Sequence, residues 1–355
     1  MKVLRYLVIL SAALFVLSCA KDNQDIPQKK VTLTKLYTIE GFPEGADSVE
    51  TFTVGYSLQI DKNGYLYILD EKSGSIKVFD NKGDFSSNIS KRGMGPDELE
   101  NGDTFYIHND TVFVFDNRVK IKKFFKGGEY ISTKVLAPEL MFVPLSFSVL
   151  NDSTLIGRVN TYKRTDENVE ISLELAIFDK EFNKIEVLAE PKIKYPTEFY
   201  KIELAHTLHS YNDEYIFTAQ MSKSEYKIKM FSHRGEFKGN IVQNYAKKRY
   251  TESEMQRIKD FVPETSDHFD YYFDYKPAVF EISNDKKGRL WVQRSNGIYG
   301  SDIVYDIFEN GDKTTEFIYK NDGSKEFEKS VYLKDRLYIV DHSNNLIEVY
   351  EYKIE

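Results

Sequence analysis

A short polar corner of Asn or Asp between two apolar strands recurs along the chain and constrains its fold more than any other feature. Asn and Asp favour tight turns because their side chains bond nearby backbone groups and tolerate positive φ. The corner aspartates are spaced between 42 and 72 residues apart, at Asp61, Asp110, Asp152, Asp213, Asp285 and Asp335. Six corners predict six hairpins.

Each corner is followed by an alternating strand and then, within a few residues, by a second strand. In the first unit these strands read YLYILD (65–70) and SIKVFD (75–80). An apolar residue at every second position is the period of a β-strand. Most units continue through a Gly-containing turn into a further strand, so each holds about four strands. Such repeats predict an all-β fold, a six-bladed β-propeller with four-stranded blades.

The ends of the repeat array predict how the ring closes. The last unit stops at Glu355 after its third strand, and VTLTKLYTIE (31–40) precedes the first complete unit. This N-terminal strand can supply the missing fourth strand, because closing the ring removes open sheet edges.

The longest corner spacing predicts an insertion at about 245–276, between blades 4 and 5. Thr251 and Glu254 fit a capping box, and Pro263 follows a stripe of apolar residues at helical spacing. These signals predict a short helix outside the blades.

The N-terminus carries an export signal. Lys2 and Arg5 precede an apolar stretch that ends near residue 17, and this stretch is shorter than the roughly 20 residues of a membrane span. Its end, VLSC, resembles a bacterial lipobox, which implies cleavage after residue 18 and a lipid such as palmitate on Cys19, the only cysteine. The alternative is a plain signal peptide with an incidental cysteine.

The predicted organisation is therefore a signal peptide over 1–18, a flexible polar tether over 19–30 and the propeller over 31–355. The expected location is the outer membrane, on its periplasmic face or at the cell surface. A net charge of −8 argues against a nucleic-acid partner, because phosphate contacts need a basic surface.

Two stretches resemble known families. DKNGYLYILDEKSGSIKVFDNKGDF (61–85) is similar to the NHL-type repeat, and KRGMGPDELE (91–100) resembles the Gly-x-Gly-Pro-x-Glu signature of six-bladed β-propeller lipoproteins of Gram-negative bacteria. The resemblance covers most of 31–355 and is strongest over 54–132. It implies fold and anchorage, and it brings no shared catalytic residues.

Several residues suit either a structural or a functional role. Asp70, Asp116 and Asp341 end the second strand of their units, where a carboxylate caps the next turn or, as the alternative, binds a metal. Gly93 and Gly95 in KRGMGPDELE predict a blade-to-blade crossing with positive φ, with a phosphate-binding loop as the alternative.

Glu203, His206 and His209 form the pattern E-x-x-H-x-x-H. On a helix the two histidines would share a face, as metal ligands do. Here they precede a corner and are expected on an innermost strand, where a spacing of three places them on opposite faces. We treat all three as candidate channel or ligand-binding residues.

The insertion contains a candidate aromatic binding patch. Its members, Tyr271, Tyr272, Phe273 and Tyr275, lie in a charged setting. Exposed aromatic side chains stack on sugars or anchor protein partners, and burial against a blade is the alternative.

The expected function is a lipid-anchored binding or scaffold module of the cell envelope. Its partner would be a glycan, a peptide or an envelope protein, and no cofactor is expected. The alternative is a calcium-dependent hydrolase or lyase, similar to propeller lactonases, with the metal held in the central channel. Fold analogy is a weak reason to assign activity, and no set of catalytic residues stands out.

Overall fold

The computed structural model describes residues 29–42, 51–52, 57–70, 72–136, 142–166, 168–198, 201, 205–252, 255, 275–294, 303–319, 329–341 and 344–355. The regular elements of these ranges are 25 β-strands. They form six sheets, so the predicted six-bladed propeller with four-stranded blades is confirmed.

Blade 1 contains β2 (Leu58–Ile60), β3 (Leu66–Asp70), β4 (Ser75–Phe79) and β5 (Phe85–Ile89). Blade 2 contains β6 (Gly102–His108), β7 (Thr111–Asp116), β8 (Lys120–Phe125) and β9 (Tyr130–Val135). Blade 3 contains β10 (Val143–Val149), β11 (Thr154–Arg164), β12 (Val169–Asp179), β13 (Lys184–Ala189) and the extra β14 (Lys192–Tyr195).

Blade 4 contains β15 (Thr207–Tyr211), β16 (Tyr215–Gln220), β17 (Tyr226–Ser232) and β18 (Phe237–Gln243). Blade 5 contains β19 (Glu281–Asn284), β20 (Leu290–Arg294), β21 (Ile303–Glu309) and β22 (Asp312–Tyr319). Blade 6 contains β23 (Lys329–Leu333), β24 (Leu337–Asp341) and β25 (Leu346–Ile354), completed by β1 (Val31–Glu40).

The strands of each blade are antiparallel and follow one another in sequence order. First strands of successive blades contact each other, as β6 does with β10 and β15 with β19. The first strand therefore lies next to the central channel and the fourth strand lies at the rim.

The ring closes through the N-terminal strand, as predicted. β1 pairs with β25 from Val31 opposite Ile354 to Glu40 opposite Leu346. Two backbone hydrogen bonds between Lys30 and Glu355, of 3.1 and 3.0 Å, extend this pairing. The two ends of the chain thus share one blade, which protects an otherwise open sheet edge.

The core lies between the blades, and strand alternation supplies it. In β3, Leu66 and Ile68 pack toward blade 6, whereas Tyr67 and Leu69 pack toward blade 2. All five residues of β3 are buried, because both faces of each inner strand meet a neighbouring blade.

The predicted corners are confirmed, and the residue that makes the turn differs between blades. In blade 1, Asp61 Oδ1 accepts the N–H groups of Asn63 and Tyr65 at 2.9 and 3.0 Å. In blade 4 the preceding asparagine takes this role, since Asn212 Oδ1 accepts the Tyr215 N–H at 2.8 Å. Either side chain satisfies the turn because both carry an acceptor oxygen at the same distance from the backbone.

The propeller has two distinct faces. We call the face that carries the blade-to-blade crossings the crossing face. The first strand of each blade begins at this face, and the second strand ends there. The Asn and Asp corners lie at the opposite, corner face. The root of the insertion and KRGMGPDELE (91–100) both lie on the crossing face.

The predicted helix of the insertion is described only at its first turn, where the Met255 N–H donates to the Thr251 carbonyl at 2.9 Å. Residues 256–274 lie outside the described residues, as do the predicted signal peptide, Cys19 and most of the predicted tether. Among the residues that are described, no helix has the length and hydropathy to cross a membrane.

Candidate functional site

Of the aspartates that end the second strands, Asp70 and Asp341 cap the turn that follows, as predicted, whereas Asp116 bonds the crossing that precedes its blade. Asp116 accepts the Asn101 N–H at 2.8 Å and Asp341 accepts the Asn344 N–H at 2.9 Å. Asp70 likewise accepts a backbone N–H from the turn that follows it, at 3.3 Å. All three carboxylates are buried, and their structural role leaves no reason to assign them a metal.

KRGMGPDELE connects β5 to β6 and closes on itself. The Gly93 N–H donates to the Leu99 carbonyl at 3.0 Å, and the Gly95 N–H donates to Glu98 Oε2 at 2.8 Å. The predicted positive φ at the glycines is wrong: the residue with positive φ is Ser90, at 66°. A Cβ at position 93 would overlap the Glu98 carboxylate, so a larger residue there would displace Glu98 from its bond with the Gly95 N–H. Since Glu98 occupies the loop N–H, the segment is a closed structural crossing.

A polar group lies beside the channel where blades 3 and 4 meet. We call it the channel-mouth cluster, and its members are Ser146, Ser148, Arg158, His206, His209 and Tyr211. They come from the two innermost strands, β10 and β15, from the residue just before β15, and from β11.

Arg158 is the charged centre of this cluster. It pairs with Ser146 across β10 and β11, and its Nε donates to the Ser146 hydroxyl at 3.0 Å. The strand register gives Arg158 the repeat position held by Leu69, Phe115 and Val340 in other blades. Those three side chains are buried in the core. Blade 3 therefore has a cation where the repeat normally requires an apolar residue.

The structure brings His206 and His209 into one electrostatic environment. His206 lies just before β15 and His209 lies within it, so the alternation that predicted opposite faces does not apply to the pair. Burial, assisted by the charge of Arg158, lowers the pKa of His206 to about 4 and that of His209 to about 3. Both imidazoles are consequently neutral at neutral pH.

Tyr211, Ser148 and an extension of blade 3 surround the two histidines. Burial raises the pKa of Tyr211, and the nearby Ser148 hydroxyl partly offsets that rise. β11 and β12 continue beyond the blade and are joined by β14, with a small apolar cluster that includes Ile171 and Ile193. Ala205, next to His206, packs against that cluster. The extension of blade 3 thus flanks the histidines.

The cluster offers one fixed cation, two neutral imidazoles and three hydroxyls. Such groups bind an anionic or hydroxyl-rich ligand. Calcium takes oxygen ligands, and a guanidinium beside the imidazoles opposes any added cation. Within the described ranges no group of three or more His, Cys, Asp or Glu side chains could hold a metal ion. Glu203, the third candidate of its motif, lies outside those ranges.

Tyr275 is the one described member of the predicted aromatic patch, since Tyr271, Tyr272 and Phe273 lie outside the described residues. Lys247 Nζ and Arg249 Cζ each lie 5.4 Å from the centre of its ring. These cation–π contacts are made within the chain. They join the two chain segments that lead into and out of the insertion.

Comparison with known proteins agrees with this architecture. A family described as six-bladed β-propellers, DUF5128, matches residues 47–273, more than half of the chain. The chain belongs to this family of six-bladed β-propellers. No curated protein matches the sequence.

Among solved structures, a Bacteroides fragilis protein described as exported has a TM-score of 0.54 and 13% identity, with 95% of this chain and 98% of that chain covered. A Bacteroides vulgatus member of the DUF4221 family has a TM-score of 0.55 and 14% identity, with 92% and 99% covered. At such identities the similarity shows the fold alone.

Sequence reasoning missed Arg158 and its serine partner. The available signal was the register of the repeat, in which an arginine stands at a position that three other blades fill with apolar residues. A hairpin in isolation does not show this departure, since alternation tolerates an arginine at either face of a strand.

Proposed function

We propose that this protein is an exported, lipid-anchored β-propeller of the cell envelope that works as a binding module. The channel-mouth cluster would receive an anionic or hydroxyl-rich group of a glycan, a peptide or an envelope protein. The observation that carries the proposal is that Arg158, on β11, lies close enough to His206 and His209, at the innermost strand β15, for its charge to act on both imidazoles. Within the described part of the chain neither imidazole has a hydrogen-bond partner, so their ring nitrogens are available to a ligand.

Binding fits the electrostatics of the cluster better than proton-transfer catalysis. An efficient general base has a pKa near the working pH, whereas those of His206 and His209 lie at about 4 and 3. A neutral imidazole can still donate one hydrogen bond and accept another. The cluster is therefore suited to hold a polar group and poorly suited to take its proton at neutral pH.

A thermal-shift screen of the chain from about residue 26 tests this proposal. Charged and neutral oligosaccharides, peptides and divalent metals would be compared, because a ligand that binds only the folded state raises its melting temperature. We expect a shift with an anionic glycan or peptide that is lost in Arg158→Gln. Arg164→Gln is the matched control, because Arg164 is exposed at the far end of the same strand.

Other outcomes of the screen contradict the proposal. A shift that survives Arg158→Gln would place the binding site elsewhere on the propeller. A calcium-specific shift that a chelator reverses would favour the calcium-dependent alternative.

The anchor has a separate test. Cys19→Ala should release the protein from the membrane fraction or stall its processing, because no other cysteine can carry the lipid. Support for export comes from the N-terminal segment and from the exported Bacteroides fragilis protein of the same fold. Unchanged membrane retention of Cys19→Ala would contradict the lipid anchor.

A further inference from the structure

A cleft lies between blades 4 and 5. Its volume is about 260 Å³, and it is lined by Tyr226, Gln243, Asn244, Tyr245, Ala246, Lys248, Arg294, Asp306 and Lys313. Arg294 follows Leu290 and Val292 on the face of β20 that packs against blade 4, and Asp306 pairs with Val292 across β20 and β21. The cleft shares no residue with the channel-mouth cluster.

At this cleft, blade 5 has an ion pair with the opposite arrangement of charges to the one in blade 2. The register aligns Arg294 with the capping Asp116 of blade 2, and Asp306 with Lys122. In blade 2 the carboxylate lies on the second strand and the ammonium on the third, 3.4 Å apart. In blade 5 the two signs are exchanged, with Arg294 Nε 3.5 Å from Asp306 Oδ2.

The reversal leaves a cation open to the cleft. Asp116 is fully buried, with the Asn101 N–H on its Oδ1 and the Lys122 ammonium 3.4 Å from its Oδ2, whereas an arginine only donates and cannot accept such bonds. The Arg294 side chain accordingly keeps 26% of its surface exposed. Of its five N–H groups, those on Nε and Nη2 face Asp306 and Glu316, and no contact within the described residues uses Nη1.

The other polar side chains of the cleft are only partly satisfied. Lys313 Nζ lies 2.5 Å from Asp306 Oδ1. Tyr226 is 2% exposed, and its hydroxyl makes no hydrogen bond of standard geometry. Burial and the nearby Asp306 charge raise the pKa of Tyr226, so the phenol remains a neutral donor. Asp306, the polar neighbour of that hydroxyl, is already paired with Arg294 and Lys313, so a polar ligand in the cleft would give the buried hydroxyl a better-placed partner.

Lys248 adds a positive charge from the root of the insertion. Its backbone carbonyl accepts the Lys276 N–H at 2.8 Å, which holds the root in place. No carboxylate among the described residues pairs with its side chain. The lining carries three cations and one carboxylate, and Glu316 beside it pairs with Arg294 and Lys313. Lys248 is therefore left as one positive charge in excess on a chain whose net charge is −8, and this charge complements an anion.

We propose that the blade 4–5 cleft binds a single acidic sugar residue of the uronic acid type. Its carboxylate would lie between Lys248 and Arg294, and its hydroxyls would bond Tyr226 and the amides of Gln243 and Asn244. The uncharged polar residues of the lining can bond the hydroxyls of a sugar, which a simple inorganic anion lacks. This inference goes beyond the proposed channel-mouth function and does not rest on it.

Ligand-observed NMR titration of the chain from about residue 26 with glucuronate tests the proposal. We expect saturable binding of glucuronate, weaker binding of glucose and of acetate, and a loss of about fivefold or more in affinity for Lys248→Ala. Tyr226→Phe should weaken glucuronate and leave acetate unchanged, because only the sugar hydroxyls reach that phenol. Lys247→Ala is the matched control, since Lys247 is a neighbouring cation outside the cleft.

Three results would overturn the inference: equal binding of glucose and glucuronate, equal binding of acetate and glucuronate, or glucuronate affinity unchanged by Lys248→Ala. A double variant, His206→Gln with His209→Gln, separates the two sites. Glucuronate binding that this double variant abolishes would assign the sugar to the channel-mouth cluster and contradict the cleft site.

Discussion

Single residues that depart from the repeat locate both candidate sites. Arg158 stands where other blades have Leu69 or Phe115, and Arg294 stands where other blades have a capping aspartate. A buried or half-buried charge costs free energy unless it is paired. Residues of this kind are therefore good candidates for function in a fold where blades 1, 2 and 6 have the apolar residue and the aspartate at these two positions.

The first prediction concerns the pH dependence of stability at His206 and His209. Their pKa values are about 4 and 3 in the folded protein and about 6.5 in an unfolded chain. As the pH falls below about 6.5, the unfolded chain takes up protons first, so the free energy of unfolding decreases. The stabilising contribution is complete above pH 6.5 and is lost toward pH 4.

Urea unfolding at pH 7.5, 6.5, 5.5 and 5.0 measures this effect. We expect the double variant His206→Gln and His209→Gln to lose stability less steeply than the wild type, by at most about 1.4 kcal/mol per pH unit for each histidine. His108→Gln, at the corner face, controls for the loss of an imidazole. Equal slopes for the double variant and the wild type would contradict the assignment.

At the scale of elements, buried pairs join the second and third strands of a blade to the crossing before it. Lys122 and Asp116 are 5% and 0% exposed, and their charged atoms lie 3.4 Å apart. Lys122 Nζ also donates to the carbonyls of Gly95 and Glu98 in the crossing. This one ammonium therefore connects the hairpin β7–β8 to the segment 91–100.

The second prediction compares two lysines of β8. Lys122→Met should lower the free energy of unfolding by about 3–5 kcal/mol, because it leaves the Asp116 carboxylate buried without its cation. Lys120→Met should change it by about 0–1 kcal/mol, because the Lys120–Glu100 pair is roughly one third exposed on both sides. Equilibrium urea unfolding of both variants measures the difference, and similar losses would show that burial does not determine the cost.

At the scale of the whole molecule, the ring holds together through strand pairing between its two ends. Ile39 of β1 is 3% exposed and belongs to a core cluster with Ile347 of β25 and Leu66 of β3. Leu36 of the same strand is 42% exposed. Closure thus packs one face of the first strand against both the last blade and the first.

The third prediction tests whether this closure supports the ring as a unit. Ile39→Ala should lower the free energy of unfolding by about 2–4 kcal/mol, as for a buried aliphatic side chain. Leu36→Ala should remain within about 0.5 kcal/mol of the wild type. Urea unfolding followed by both fluorescence and circular dichroism measures the change. A small effect of Ile39→Ala would mean that blade 6 frays without cost to the other blades.

The sequence by itself determined the blade number, the second and third strands of each blade to within a few residues in most blades, the corner turns and the closing strand. These features depend on alternation and on turn chemistry, which act between residues close in the chain. The extra length of β11 and β12 in blade 3 was not predicted, because the other repeats have no corresponding residues with which the extra residues could be aligned. The capping roles of Asp70 and Asp341 were also predictable, since each accepts an N–H of the turn that follows it. The bond of Asp116 to Asn101 was not, because Asn101 lies fifteen residues earlier, in the crossing.

Only the tertiary structure decided which polar residues meet. The charge of Arg158 acts on His206 and His209 because blades 3 and 4 are neighbours in the ring. Arg294 and Tyr226 line one cleft because blades 4 and 5 are neighbours. Gly93 is explained by Glu98 packing over it, and its φ alone gave no such reason. Contacts of this kind depend on side chains from separate blades and on the order of the ring. Local periodicity carries no information about them, because it specifies the face of a strand and not the neighbour that the face meets.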